Sequence, residues 1–226
     1  MSVQRQDAAS VKVAVVGVSG TGKTTLAEKI VREWFSDAKW KFVFDFKEGD
    51  FARRFKVRPC YTLPELVEAT ERGGFVIFDP GKEYPGHPEK GLAFFADYVF
   101  QVSTALKGRK LFMSDEFDSL VDARSEPEEI CVMLDQGRTF EVGSVFICHA
   151  MNGIHNQVRK QITEIFAFRQ GDKNGVEWLE EKGFDRQKLM GLENGRWIYK
   201  NLNTGESREG GRAFKPKYAT RSFKGL

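Results

Sequence analysis

Nine consecutive residues, Gly17, Val18, Ser19, Gly20, Thr21, Gly22, Lys23, Thr24 and Thr25, carry the most specific chemistry in the chain. The three glycines free the backbone to turn tightly, so that successive amide N–H groups and a helix N-terminus converge on an anionic phosphate. Lys23 is placed to reach the β- and γ-phosphates of a nucleotide, and the Thr24 hydroxyl to ligate magnesium. A second set stands in LFMSDEFDSL (111–120). There Asp115 follows an apolar run and would hold the same Mg2+ through its water shell, while Glu116 would polarise an attacking water. A carboxylate base beside the metal favours hydrolysis over transfer to a bound acceptor. The two sets together predict a site that binds ATP with Mg2+ and hydrolyses it.

Other side chains could complete such a site. GSVFICHAMNG (143–153) ends an apolar run at Cys148-His149. His149 there is a candidate sensor facing the γ-phosphate, or a strand-end histidine satisfied by a carbonyl. Arg138, in DQGRTFEVG (135–143), precedes that run. In ring-shaped ATPases an arginine so placed can enter the neighbouring subunit's site and stabilise charge developing on the γ-phosphate. Arg159 and Arg169 compete for the role, and a solvated surface arginine is the plain alternative. Asp45 and Asp79 each end an apolar run where ligands bind in open α/β folds, or simply terminate strands.

The elements that must position these residues are legible from apolar periodicity. VKVAVVG (11–17) reads as a strand buried on both faces, and TTLAEKIVREWF (24–35) as an amphipathic helix. Strand, Gly loop and helix are the setting a phosphate loop needs. Further strands are expected at 41–46, 74–79, 110–115, 143–148 and 163–168, and helices at 64–71, opened by Pro64 after Thr62, and at 92–106. Apolar strands alternating with helices predict a mainly parallel sheet with helices on both faces. NGRWIYKNLNTGESREG (194–210) alternates bulky and polar side chains around Asn203-Thr204-Gly205, which predicts a β-hairpin followed by an irregular tail. The expected organisation is one ATPase domain over residues 1–195, with a hairpin and basic tail over 196–226 as an appendage.

Composition narrows the setting. Cys60, Cys131 and Cys148 match neither a disulfide framework nor a zinc cluster, so a reducing compartment is expected, with Cys131 and Cys148 in the core. With one early Arg and no apolar run at the N-terminus, no secretory leader is expected, and the apolar stretch 91–106 is too short to span a bilayer and contains Asp97, so no membrane span is expected either. The net charge of +3 is unevenly placed: residues 196–226 sum to +6 and the remainder to −3. A basic, aromatic tail suits nucleic-acid phosphate or an acidic protein surface, and equally a solvated end.

The order of these features resembles the HerA–FtsK superfamily of DNA-pumping ATPases, and among them the genome-packaging ATPases of tailless, membrane-containing icosahedral viruses and phages. The resemblance covers residues 11–200. It rests on GVSGTGKTT, TLPELVEATERGGFVIFDP (62–80), LFMSDEFDSLV (111–121), GRTFEVGSVFICHA (137–150), ITEIFAFRQGDKNGVEWLEEKGFD (162–185) and the closing LENGRWIYKNLNTGE (192–206). The superfamily usually places Gln where His149 stands, a departure that bears on the sensor alone. The resemblance implies a RecA-like P-loop fold of the ASCE class and a homo-oligomeric ring, a hexamer, with double-stranded DNA in its channel. It also implies capsid or vertex protein partners, with the chain acting at the virion's packaging vertex and in the host cytoplasm. Competing readings are another HerA/FtsK-like translocase, a phage-assembly ATPase, a small-molecule kinase and a nucleotide-gated scaffold. Filamentous-phage assembly ATPases usually add a membrane-spanning segment, a kinase needs an acceptor pocket and a lid, and the presence of Glu116 argues against a scaffold without turnover.

Overall fold

Short strands that are apolar on both faces need cover on both sides, and the structure supplies it. The computed structural model describes residues 11–47, 49–121, 127–171 and 173–211. In chain order, β1 (Lys12–Val16) leads through the Gly loop into α1 (Lys23–Trp34), followed by β2 (Trp40–Phe44), α2 (Asp50–Phe55), α3 (Leu63–Arg72), β3 (Gly74–Phe78), α4 (Pro88–Ala105) and β4 (Lys110–Ser114). Next come α5 (Phe117–Leu120), α6 (Glu128–Gln136), β5 (Val142–Cys148), α7 (Asn156–Gln161), β6 (Glu164–Ala167), α8 (Lys173–Glu181), α9 (Arg186–Gly191), β7 (Trp197–Asn201) and β8 (Ser207–Gly210).

The described strands form one sheet in the order β3-β2-β4-β5-β1-β6-β7-β8. The first six are parallel, β7 runs antiparallel to β6, and β8 antiparallel to β7. The mainly parallel α/β sheet expected from the sequence is therefore present. Along β1, Val13 and Val15 pack with Leu26, Ile30 and Trp34 of α1 on one face, while Ala14 and Val16 join Phe95, Phe112 and Phe146 on the other. Strict alternation between two cores is why β1 tolerates no polar residue along its centre.

The expected elements are found with shifted ends. The helix expected from residue 92 begins at Pro88, whose ring suits the first turn and whose missing N–H costs nothing there. Helix α2 was not anticipated; its six residues, between left-handed Gly49 and Lys56, are too few to show a helical period. The hairpin forms where expected, with Asn201 Oδ1 accepting the N–H groups of Asn203 and Thr204 in its turn. It extends the main sheet through β7. Cys148 is fully buried, but Cys131, expected in the core, is only half-buried, because it lies at the margin of α6 and not on the face carrying Ile130, Met133 and Leu134. The tail residues Arg212, Lys215, Lys217, Arg221 and Lys224 lie outside the described residues, as does Asp122.

One buried acid makes stability depend on pH. Glu164, at the start of β6, accepts a hydrogen bond from the Tyr199 hydroxyl at 2.8 Å, and burial pushes its carboxyl up to about 7 despite that bond. Its folded value lies above the ordinary 4.5. The folded chain therefore binds more protons than the unfolded chain between those values, so stability is highest below this window and falls as pH rises through it. Glu164→Gln keeps an acceptor for Tyr199. In urea melts it is expected to stabilise the protein by on the order of 2 kcal/mol at pH 8 and to make no difference below pH 4.

Candidate nucleotide site

The loop after β1 turns on three glycines with positive φ: Gly17 at 148°, Gly20 at 77° and Gly22 at 102°. Its packing explains Gly17 further, because a Cβ there would lie 2.7 Å from Cβ of Phe168. The chain just past β6 supports the loop from below. Arg169 O accepts the Val18 N–H at 3.0 Å, and Gly171 leaves room for the Val18 side chain, which would lie 2.6 Å from a Cβ at that position. On the other side Cys148 O accepts the Gly17 N–H at 3.3 Å. Within the loop, the Thr21 hydroxyl donates to Val18 O at 2.8 Å, and Lys23 Nζ donates to Gly17 O at 2.6 Å and Val18 O at 3.0 Å. Burial lowers the Lys23 pKa, opposed by the nearby Asp115 and Asp118 carboxylates.

Strand β5 lies between β1 and β4. The acidic pair that follows β4 is thus two strand spacings from the loop, about 10 Å. That gap leaves room for a terminal phosphate and a water between them. Burial raises the Asp115 pKa, and Lys47 and Lys23 oppose the rise. Asp115 Oδ1 accepts the Glu116 N–H at 2.7 Å. Glu116 itself has φ 42°, ψ 40°, a left-handed conformation that a non-glycine residue holds at a cost of about 1–3 kcal/mol and that clusters at functional sites. Its carboxylate forms an ion pair with Lys47, which stands on the connection between β2 and α2.

Short helix α5 is anchored by Phe117, whose ring lies 4.2 Å from that of Phe146 on β5. This anchor aims Asp118 at the turn beyond β5, where Asp118 Oδ2 accepts the N–H groups of His149 at 2.9 Å and Ala150 at 3.1 Å. His149 Nε2 lies 3.1 Å from Ser19 Oγ. A chain of polar contacts therefore runs from α5 through His149 to the phosphate loop.

Of the residues singled out from the sequence, 17–25, Asp115, Glu116, His149 and Arg169 gather at this carboxyl edge of the sheet. Arg138 does not: it precedes β5 at the opposite edge, close enough to Lys12 at the start of β1 to affect its charge. Arg159, in the last turn of α7 before β6, also belongs to the amino-edge side. Asp45 accepts the Ala52 N–H at 3.0 Å and Asp79 the Gly81 N–H at 2.9 Å; both close local turns, beyond β2 and β3, which stand three and four places from β1 in the sheet. Sequence reasoning missed Lys47 and Asp118. Asp118 could have been found from its spacing, one helical turn beyond Asp115; Lys47 becomes visible only once β2 is known to neighbour β4.

A magnesium ion fits the donors present. Among the described residues no group of three or more His, Cys, Asp or Glu could hold a metal. Thr24 and Asp115 offer the hard oxygens that suit Mg2+ bound chiefly through phosphate and water.

The family model of the NACHT domain matches residues 12–142, more than half of the chain. The chain belongs to the NACHT domain family. The matched segment runs from β1 to the start of β5 and includes the loop, Lys47, Asp115, Glu116 and Asp118. No curated protein matches the chain in sequence. Among solved structures, the genome-packaging NTPase B204 from Sulfolobus turreted icosahedral virus 2, in complex with sulfate, is 15% identical with a TM-score of 0.72, covering 92% of this chain and 98% of that one. B204, the DNA-packaging ATPase from Sulfolobus turreted icosahedral virus, is 16% identical with a TM-score of 0.61, over 88% and 96%. VirB4 of Thermoanaerobacter pseudethanolicus is 10% identical with a TM-score of 0.60, over 92% and 91%. The likeness to packaging ATPases read from the motifs is thus present at the level of fold. This NACHT-family chain is a nucleotide-binding P-loop ATPase. Among its described residues no helix is long and apolar enough to cross a membrane.

Proposed function

We propose that this ATPase is a genome-packaging motor that couples ATP hydrolysis to translocation of double-stranded DNA into a preformed capsid. The observation that carries the reading is the match of almost the whole chain to the fold of B204, which extends past the NACHT segment through β6. The polar constellation at the sheet edge supports it. Lys23 would hold the β- and γ-phosphates, and Thr24 and Asp115 would hold Mg2+, which neutralises phosphate charge when bound. Glu116 would take the proton of the attacking water, and His149, tied to Ser19, would report the γ-phosphate.

Arg138 is one β5 length from its own loop, about 23 Å, which puts its own site out of reach and leaves a neighbouring subunit's site as the one it could serve. Arg169 is the arginine of the three that stands beside its own loop. We therefore assign Arg138 to the trans position in a ring, a hexamer, with Arg169 acting within its own chain. Capsid or vertex proteins would be the other partners, and the virion's packaging vertex and the host cytoplasm the places of action.

The test is ATP hydrolysis by the purified chain with and without double-stranded DNA, with a mass measurement of the assembly. Stimulation of about tenfold or more by DNA of any sequence is expected, together with a ring-sized mass. Turnover indifferent to DNA would overturn the motor reading. Because β8 ends at Gly210, the basic tail is removed by deleting 212–226 and not from 208. If the tail meets DNA phosphate, the deletion flattens the salt dependence of DNA binding by roughly one unit of slope for each phosphate that the tail neutralises.

A further inference from the structure

Helices α4 and α6 pack side by side over the same face of the sheet and leave an open groove of about 390 Å³ between them. Its floor is apolar: Phe94 and Phe100 of α4 and Val132 of α6 are each half-buried there. The Phe78 ring backs that of Phe94 at 5.7 Å between centroids, and the Phe140 ring that of Phe100 at 5.8 Å, so both floor rings are fixed before anything binds. The rim is acidic, with Asp97, Glu128 and Glu129 exposed around it. Among the described residues none of the three forms an ion pair, and Asp97 accepts only the Gln101 amide, at 3.2 Å. Carboxylates in the first turn of α6 favour that helix through its dipole. The dipole explains neither Asp97, in the middle of α4, nor the aromatic floor.

We propose that this groove seats the chain's own tail, residues 212–226. That segment carries Arg212, Lys215, Lys217, Arg221 and Lys224 and no carboxylate side chain, with Phe214, Tyr218 and Phe223 set between the cations. Its composition complements the groove, with rings for the floor and cations for the rim. Residues 1–10 offer no such match, since Arg5 is set against Asp7 and no side chain is aromatic. DNA is repelled by the rim, where its phosphates would meet three carboxylates. The tail has the reach. Strand β8 delivers the chain at Gly210, five strand spacings from β4, about 24 Å, and α4 lies over β4 with the Phe95 ring 5.8 Å from that of Phe112. The tail, fully extended, spans up to about 50 Å. While seated, its cations face carboxylates and not phosphate, so the groove withholds the tail from DNA.

Amide hydrogen exchange tests the seat, comparing the full chain with one ending at residue 211, in both of which β8 is complete. Deleting 212–226 is expected to speed exchange about tenfold along 93–101 and 128–132, and a synthetic peptide of the tail sequence to restore the protection. In the full chain, Asp97→Asn, Glu128→Gln and Glu129→Gln together are expected to speed the same exchange. They are also expected to weaken peptide binding to the shortened chain about tenfold, a difference that added salt removes. A peptide with Phe214→Ser, Tyr218→Ser and Phe223→Ser keeps every charge and is expected to bind about tenfold less tightly. Protection in the full chain is expected to be the same at every protein concentration, as for a segment seated on its own chain. Exchange unmoved by the deletion, equal binding of the peptide without rings, or protection that grows with protein concentration, as a second copy's tail would give, would overturn the proposal.

Discussion

Glu116→Gln is expected to lower kcat for ATP by about 10²–10⁴-fold while the protein still binds nucleotide. The substitution keeps the volume and the backbone but removes the lone-pair basicity that a water must meet. Glutamine is no worse than glutamate in the left-handed conformation at this position, so the fold bears no added strain. Phosphate release under saturating ATP measures the first quantity and titration with a fluorescent nucleotide the second. Turnover within about threefold of wild type would remove Glu116 from the chemistry and leave the site a binder.

The second large effect is structural and falls on the loop itself. Gly17→Ala is expected to destabilise the chain by about 2–4 kcal/mol, a fall of about 5–10 °C in Tm for a domain of this size, and to abolish tight nucleotide binding. Two penalties coincide at this residue. Its φ of 148° suits glycine, and the added methyl would meet Phe168 Cβ at 2.7 Å and Arg169 O at 3.1 Å. Relief requires the loop to move off the end of β6, which breaks the Val18 N–H to Arg169 O bond that shapes the cradle. Gly20→Ala is the matched control, since a Cβ at Gly20 meets nothing within 4 Å and only the φ penalty remains. Thermal melts with and without ATP compare the two.

The contrast between what the residues announced and what only the fold revealed has a physical basis. The loop and β1 were legible because phosphate binding and two-sided burial each impose a pattern within a few consecutive residues. Asp115 and Glu116 were legible for the same reason, standing at the end of an apolar run. Lys47 was not, because its importance comes from β2 lying next to β4, a pairing of Phe44 with Ser114 that no local pattern encodes. The arginines show the same limit. Arg138 and Arg169 each flank a strand and read alike in sequence, and only the direction of β5 and β6 separates one at the amino edge from one beside the loop. Helix α2 was invisible because a six-residue segment cannot display a period of 3.6.

Of the described strands, the one that carries the phosphate loop is made first and finds its neighbours late. Lys12 aligns with Ser144 on β5, and its N–H reaches Thr163 Oγ1, 151 positions away. During synthesis β2, β3 and β4 can assemble with one another as they emerge, whereas β1 stays without a neighbour until β5 and β6 have left the ribosome. Such long-range closure makes a slow step in folding. It also means that a nascent or truncated chain holds the loop's residues without the floor beneath them, so the ability to bind ATP arrives late, and arrives together with the sheet that uses it.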